Sequence, residues 1–185
     1  MSSPTPPVKN GLCSDIEYRA IFDLIHSLPD PNVLVFGLGR DSVLWDSLTP
    51  NCYFIENIQK WIDMNKKLKV YKVEYRSKHL SKTSIDKESQ LKILKGFPDS
   101  LYTIKWDVIF VDSPVGRTQG RMKSIYKAYQ LRSENTHIFV HDYNRLTEKL
   151  YCDHFLGIPD KIIHRLAYYE SSSSIRSEER VEESR

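Results

Sequence analysis

No stretch of the 185-residue chain approaches the roughly 20 consecutive apolar residues of a membrane span, and the Pro/Ser-rich start, MSSPTPPVKNG, has no apolar h-region. The sequence therefore reads as a soluble chain with no visible secretion signal or anchor. Cysteine is scarce: Cys13, Cys52 and Cys152 lie far apart with no C-x-x-C pair, so neither a disulfide framework nor a zinc motif is suggested. An odd count of three fits a reducing compartment. Charge of one sign is lacking too. With 27 basic residues offset by 24 acidic ones, the net charge of +3 is too mild to argue for nucleic acid. No aromatic-rich basic stripe strengthens that case, although the lysines between Lys66 and Lys95 could form a patch.

What is present suffices for one sizeable core, since 40% of the residues are hydrophobic and 11% aromatic. Residues 1 to 11 read as a flexible lead-in and 171 to 185 as a disordered polar tail, which leaves a single domain over residues 12 to 170. DIEYRAIFDLIHSL sets Ile16, Ala20, Ile21, Leu24 and Ile25 at helical spacing behind a cap at Ser14 or Asp15. Short apolar runs follow: PNVLVFG, CYFIE (52 to 56), the alternating KVYKVEY (69 to 75), WDVIFVD (106 to 112) and HIFVHD (137 to 142). KIIHRLAYYE reads as one last strand. Between them lie helical segments: RDSVLWDSL, NIQKWIDMNKKL with Ile58, Trp61, Ile62 and Leu68 inward, RMKSIYKAYQLR and NRLTEKLYCDHFL. Strands alternating with helices, most of them apolar throughout, predict an open, mostly parallel sheet of six or seven strands covered on both faces.

Ligands of such sheets bind outside the carboxyl ends of the strands, and those ends here carry Gly37, Glu56, Asp112 and Asp142. Gly37 and Gly39 lack Cβ atoms, so GLG is either a cradle the backbone can press against a ligand or a plain strand-to-helix turn. Glu56 stands about twenty residues further on, where dinucleotide folds hydrogen-bond a ribose diol; its bland alternative is a solvated strand-end carboxylate. The third glycine of a dinucleotide fingerprint is missing, and beyond Arg40 the loop has no cation to grip a pyrophosphate. That pattern favours S-adenosylmethionine over a nicotinamide cofactor.

Asp112 and Asp142 end neighbouring strands and face one cleft, as a base or as ligands of a divalent metal to which Asn144 adds a third oxygen. Asp142 has a second reading as the cap of the next helix. His141 is either a satisfied buried histidine or a general base. Arg117, Arg121 and Arg145 sit in the loops after these acids and suit a substrate carboxylate.

VLVFGLGRDSVLWDSL, YFIENIQKWI, YTIKWDVIFVDSPVG, GRMKSIYKAY and IFVHDYNR, in this order and spacing, resemble the plant DUF579 polysaccharide-biosynthesis family, whose best understood members are glucuronoxylan 4-O-methyltransferases. The resemblance covers about residues 30 to 155. It implies a Rossmann-like class I methyltransferase fold. It also implies methyl transfer from S-adenosylmethionine to O-4 of glucuronic acid on a polysaccharide such as glucuronoxylan; related members act on arabinogalactan. Carried onto this chain, Gly37, Leu38, Gly39, Asp41, Ser42, Glu56 and Asp112 would form the cofactor site. Asp112, His141 and Asp142 would form the reaction centre, metal-free, with Arg117, Arg121 and Arg145 on the acceptor. A Golgi location would follow if the plant pattern holds, a cytoplasmic one otherwise. The chain departs from the family at Arg40, where the family has His, and at Asn57, where it has a second acid. A further departure is the short region after the fifth strand, which predicts a missing or reduced strand. The rival readings are a methyltransferase of another small molecule or of nucleic acid, and a non-catalytic binding module on the same fold.

Overall fold

Val33–Phe36 (β1), Cys52–Glu56 (β2), Lys69–Lys72 (β3), Val108–Val111 (β4) and His137–Val140 (β5) pair in parallel. Lys161–Ile163 (β6) and Leu166–Tyr169 (β7) form a hairpin whose second strand runs antiparallel to β5. The sheet has seven strands in the order β3-β2-β1-β4-β5-β7-β6. This is an open, doubly wound, Rossmann-like arrangement. The computed structural model describes residues 13–75, 80–114 and 121–171, so most of the lead-in and tail lie outside the described residues, as does Arg117. Among the described residues, no helix is long and apolar enough to cross a membrane.

The central strands are buried on both faces, which explains why they read as unbroken apolar runs. Alternate side chains serve different layers. Leu34, Phe36, Ile109, Val111, Ile138 and Val140 meet the layer of Glu88–Lys92 (α4), Met122–Leu131 (α5) and Leu146–Phe155 (α6). Val33, Val35, Phe54, Val108 and Phe110 meet Asp15–Ser27 (α1) and Ser42–Leu48 (α2), with Gln59–Met64 (α3) at the edge. Trp45 lies between Phe22 of α1 and Phe110 of β4, its ring 4.8 Å from the latter.

Three sequence expectations change. The segment expected as one last strand is split by a turn at His164 and Arg165, with His164 at φ +56°, so the sheet keeps all seven strands and its reduction is confined to the three residues of β6. Helix α1 does not turn Ile16 inward: that side chain is 61% exposed, and the buried face is Glu17, Tyr18, Ile21, Phe22 and Ile25. Ile58 is also exposed, standing before α3 as its N-cap, while Trp61, Ile62 and Leu68 are half-buried.

The chain leaves β1 toward β2 and β3, then crosses back to lay β4 on the other side of β1. The strand order therefore reverses at the β1/β4 pair, where a crevice opens at the carboxyl ends. Two further amides extend the ladder there: Asp112 N–H donates to Phe36 O and His141 N–H to Val111 O. Both residues are thereby held at the crevice by the sheet itself.

Candidate active site

The loop after β1 is fixed from three sides. Gly37 donates its N–H to Ile55 O at 2.9 Å and takes φ +125°, a conformation that side chains rarely adopt. A Cβ there would stand 3.2 Å from Ser113 Cβ, filling the gap between the ends of β1 and β4. Leu38 N–H donates to Glu56 Oε2 at 2.7 Å, and the other Glu56 oxygen accepts the N–H groups of Asn57 and Ile58, each at 2.6 Å. Glu56 is thus a buried carboxylate tied to the loops after both β1 and β2. Gly39 N–H donates to the buried Ser42 hydroxyl at 2.8 Å.

Asp41 is turned elsewhere. Its Oδ2 accepts from Tyr18 OH at 2.8 Å and from Trp45 Nε1 at 2.9 Å, so it braces the loop against α1. Gly37, Leu38, Gly39, Ser42 and Glu56 lie together beside Asp112, and Asp41 shapes their loop from behind. The residues that could line a small nucleoside-like group here are Gly37, Leu38, Gly39, Ser42 and Glu56, with the carboxylate of Glu56 engaged by three loop amides.

The acids after β4 and β5 converge on one guanidinium. Arg121, at the start of α5 and only 3% exposed, donates through Nη2 to Asp112 Oδ1 and through Nη1 to Asp142 Oδ2, both at 2.6 Å. The same nitrogens also reach the carbonyls of Asp112 and His141 at 3.1 Å, and Glu148 Oε1 stands 3.7 Å from Nη1. Burial works against the Arg121 charge, yet Asp112, Asp142 and Glu148 outweigh it and hold its pKa above the ordinary value. Arg121 is therefore a clamp between the two acids and is not free to reach an acceptor carboxylate, which corrects the sequence expectation. The position between Asp112 and Asp142 is also taken, and Asn144 is exposed to solvent, so the expected alternative of a metal held by Asp112, Asp142 and Asn144 is not assembled.

Asp142 sits in the left-handed region at φ +60°, as part of the bend between β5 and α6. Besides Arg121 it meets Arg145 Nη1 at 2.9 Å and Arg165 Nη1 at 3.3 Å. Burial favours a raised Asp142 pKa; the hydrogen bond and charge of Arg121, with His141 and Arg145, outweigh it and hold the carboxyl below its usual range. Arg145 is half exposed, so of the two described candidate arginines it is the one with reach into solvent.

His141 is only 2% exposed. Its Nδ1 lies 3.0 Å from Asp112 Oδ1, and the carboxylate accepts, which puts the proton on Nδ1. Nε2 faces away from the crevice toward Glu17, 3.7 Å from Oε2. Among the described residues, both hydrogen bonds to the Asp112 side chain fall on Oδ1. Asp112 is the most exposed member of the cluster at 14%.

Sequence reasoning missed Glu17. This wholly buried carboxylate accepts from Ser14 N–H at 2.6 Å and Ser14 OH at 2.8 Å, and from Arg165 N–H at 2.9 Å. Burial pushes its pKa up, but those hydrogen bonds and His141 hold it below the usual range. S-D-I-E did announce a capping box, with Ser14 as cap and Glu17 three residues on. Nothing local announced that Glu17 also faces β5 and the last hairpin.

The IRX15/IRX15L/GXM family model matches residues 80–164. Among curated proteins of Arabidopsis thaliana, the chain is 32% identical to Arabinogalactan O-methyltransferase 1, over 76% of this chain and 60% of that one. It is 38% identical to Glucuronoxylan 4-O-methyltransferase 2, over 68% and 53% respectively. Protein IRREGULAR XYLEM 15 is 34% identical, over 76% and 54%. The chain thus spans little more than half the length of these relatives. The matched segment runs from the loop before α4 through Asp112, the Arg121 clamp and the His141–Asp142 bend. Over that segment and at these identities, the chain is similar to the IRX15/IRX15L/GXM family.

Proposed function

We propose that this chain is an S-adenosylmethionine-dependent O-methyltransferase that methylates a uronic acid residue of a polysaccharide, with O-4 of glucuronic acid on glucuronoxylan as the first choice of acceptor. The observation that carries the reading is Asp112: a carboxylate after the end of β4, beside the Gly37 loop, whose Oδ1 is held by Arg121 and His141 and whose side chain is 14% exposed, more than those of Arg121, His141 and Asp142. Relatives named for methyl transfer to glucuronoxylan and arabinogalactan support it.

When bound, S-adenosylmethionine supplies a sulfonium methyl that leaves its sulfur as a neutral thioether. Glu56 and the Gly37 loop would line the nucleoside end. A sugar hydroxyl is a poor nucleophile at neutral pH, so Asp112 Oδ2 takes its proton as the new O–C bond forms. Arg121 and His141 fix Asp112 in one orientation, so that the geometry is set before the acceptor arrives. Arg145, anchored on Asp142 and half exposed, pairs with the uronate carboxylate. Of the two bases the sequence offers, the geometry favours Asp112, because His141 Nε2 points inward.

The test is label transfer from S-adenosylmethionine to glucuronic-acid-bearing oligosaccharides, with wild type beside Asp112→Asn. Methylated uronate formed by wild type and lost in the variant is expected. Equal transfer by both would remove Asp112 from the mechanism, and cofactor binding without transfer to any acceptor would favour a binding module.

A further inference from the structure

Behind the reaction centre, on the side away from the crevice, Cys13, Glu17 and His141 form a second cluster. All three are buried, and one ligand atom from each lies within 4.8 Å of the others. Among the described residues, His141 Nε2 has no hydrogen-bond partner, although it is buried. With the proton on Nδ1, this nitrogen presents a bare lone pair in a site closed to water. Unsatisfied buried polar atoms are uncommon and call for a physical reason.

The surroundings supply one. A histidine that binds a metal through one nitrogen ordinarily donates its other N–H to a carboxylate, which fixes the tautomer and makes the ligating nitrogen more basic. His141 has that arrangement: Nδ1–H donates to Asp112, and Nε2 is aimed at a carboxylate and a thiol. Glu17 is oriented by hydrogen bonds as well, two from Ser14 to Oε2 and one from Arg165 N–H to Oε1, so a ligating Oε2 would exchange a Ser14 hydrogen bond for the metal. Two N/O ligands on a tetrahedral zinc ion stand about 3.4 Å apart, given metal–ligand distances of about 2.1 Å. Nε2 and Oε2 are 3.7 Å apart, so small side-chain movements suffice.

We propose that Cys13, Glu17 and His141 hold one borderline-soft divalent cation, zinc by ligand type, which pins the start of α1 to the end of β5. A thiolate, an imidazole and a carboxylate together suit zinc. Binding converts the Cys13 thiol to thiolate, with the proton passing to solvent. The ion would touch neither cofactor nor acceptor; it would position Asp112 through the imidazole. This inference does not depend on the acceptor or on methyl transfer.

Equilibrium dialysis of the full chain against Zn²⁺, read by elemental mass spectrometry, is expected to retain one zinc per chain. Cd²⁺ in place of zinc is expected to give the ultraviolet absorption of a metal thiolate. Cys13→Ser should abolish that absorption and weaken zinc binding by about 100-fold or more, beyond the 10- to 100-fold loss seen on removing outer-shell partners. Glu17→Gln should weaken binding as well, and serves if Cys13→Ser does not fold. Cys52→Ser and Cys152→Ser alter buried thiols elsewhere and should change nothing. Substoichiometric zinc on wild type, or a cadmium absorption that survives Cys13→Ser, would overturn the site.

Discussion

The amide of Leu38 and the carboxylate of Glu56 are joined by a 2.7 Å hydrogen bond that ties the loop after β1 to the end of β2. The bond is charge-assisted and buried, and it holds the Gly37 backbone bare toward the crevice. Replacing Glu56 by Ala removes the acceptor for three amides as well as the proposed ribose contact. Calorimetry is expected to show S-adenosylmethionine affinity falling at least tenfold, since one hydrogen bond to a charged group contributes about 1.5–3 kcal/mol. An unchanged affinity would detach Glu56 from the cofactor.

Gly37→Ala tests the same loop from the other side. An added Cβ meets Ser113 Cβ at 3.2 Å in a backbone conformation near φ +125°. Such strain costs about 1–3 kcal/mol, so the urea midpoint should fall and the crevice between β1 and β4 should narrow. A variant as stable as wild type, with full cofactor affinity, would show that the glycine is not required there.

Arg121→Met leaves Asp112, Asp142 and Glu148 without their shared cation. Removing one partner of a buried ion pair typically costs about 3–5 kcal/mol, and denaturant unfolding at neutral pH should register a loss in that range. Arg145→Ala should behave differently. Its side chain is 46% exposed, so stability should change by no more than about 1 kcal/mol. Instead, KM for a uronate acceptor should rise about tenfold with kcat little altered, as expected for one lost charge-assisted contact.

The acid limb of stability follows from Asp142 and Glu17. Their ordinary values are 3.8 and 4.5, and both are lowered in the folded protein. A depressed carboxyl pKa contributes stability that is complete above the unfolded value and is lost as pH falls through the folded one. In buffer containing a chelator, wild type should therefore lose stability steadily below about pH 4.5. Asp142→Asn should be less stable than wild type at pH 7, and its deficit should shrink toward pH 3. A deficit that stays constant with pH would assign the effect to packing.

Much of this could be read from the chain. Val33–Phe36, Val108–Val111 and His137–Val140 announced themselves because strands buried on both faces need no polar alternation, and Gly37, Asp112 and Asp142 at their ends marked the crevice. The direction of a long side chain was not legible. Arg121 lies beyond a Gly/Pro loop, where guanidinium groups are ordinarily solvated, and only the approach of α5 to β4 and β5 turns it inward. The β6–β7 hairpin escaped notice for a local reason: His164 and Arg165 turn without the glycine, asparagine or proline that usually mark a tight turn. Glu17 and Cys13 escaped for a topological one, since their partners lie more than a hundred residues away.

The bond from Arg165 N–H to Glu17 spans 148 residues and joins the first helix to the last hairpin beneath the reaction centre. During synthesis, the five parallel strands can be laid down before that hairpin emerges. The environment of His141 cannot be completed until it does. Completion of that environment is thereby coupled to delivery of nearly the whole domain, and a fragment ending before residue 161 would carry the Gly37 loop without a finished acid–histidine core.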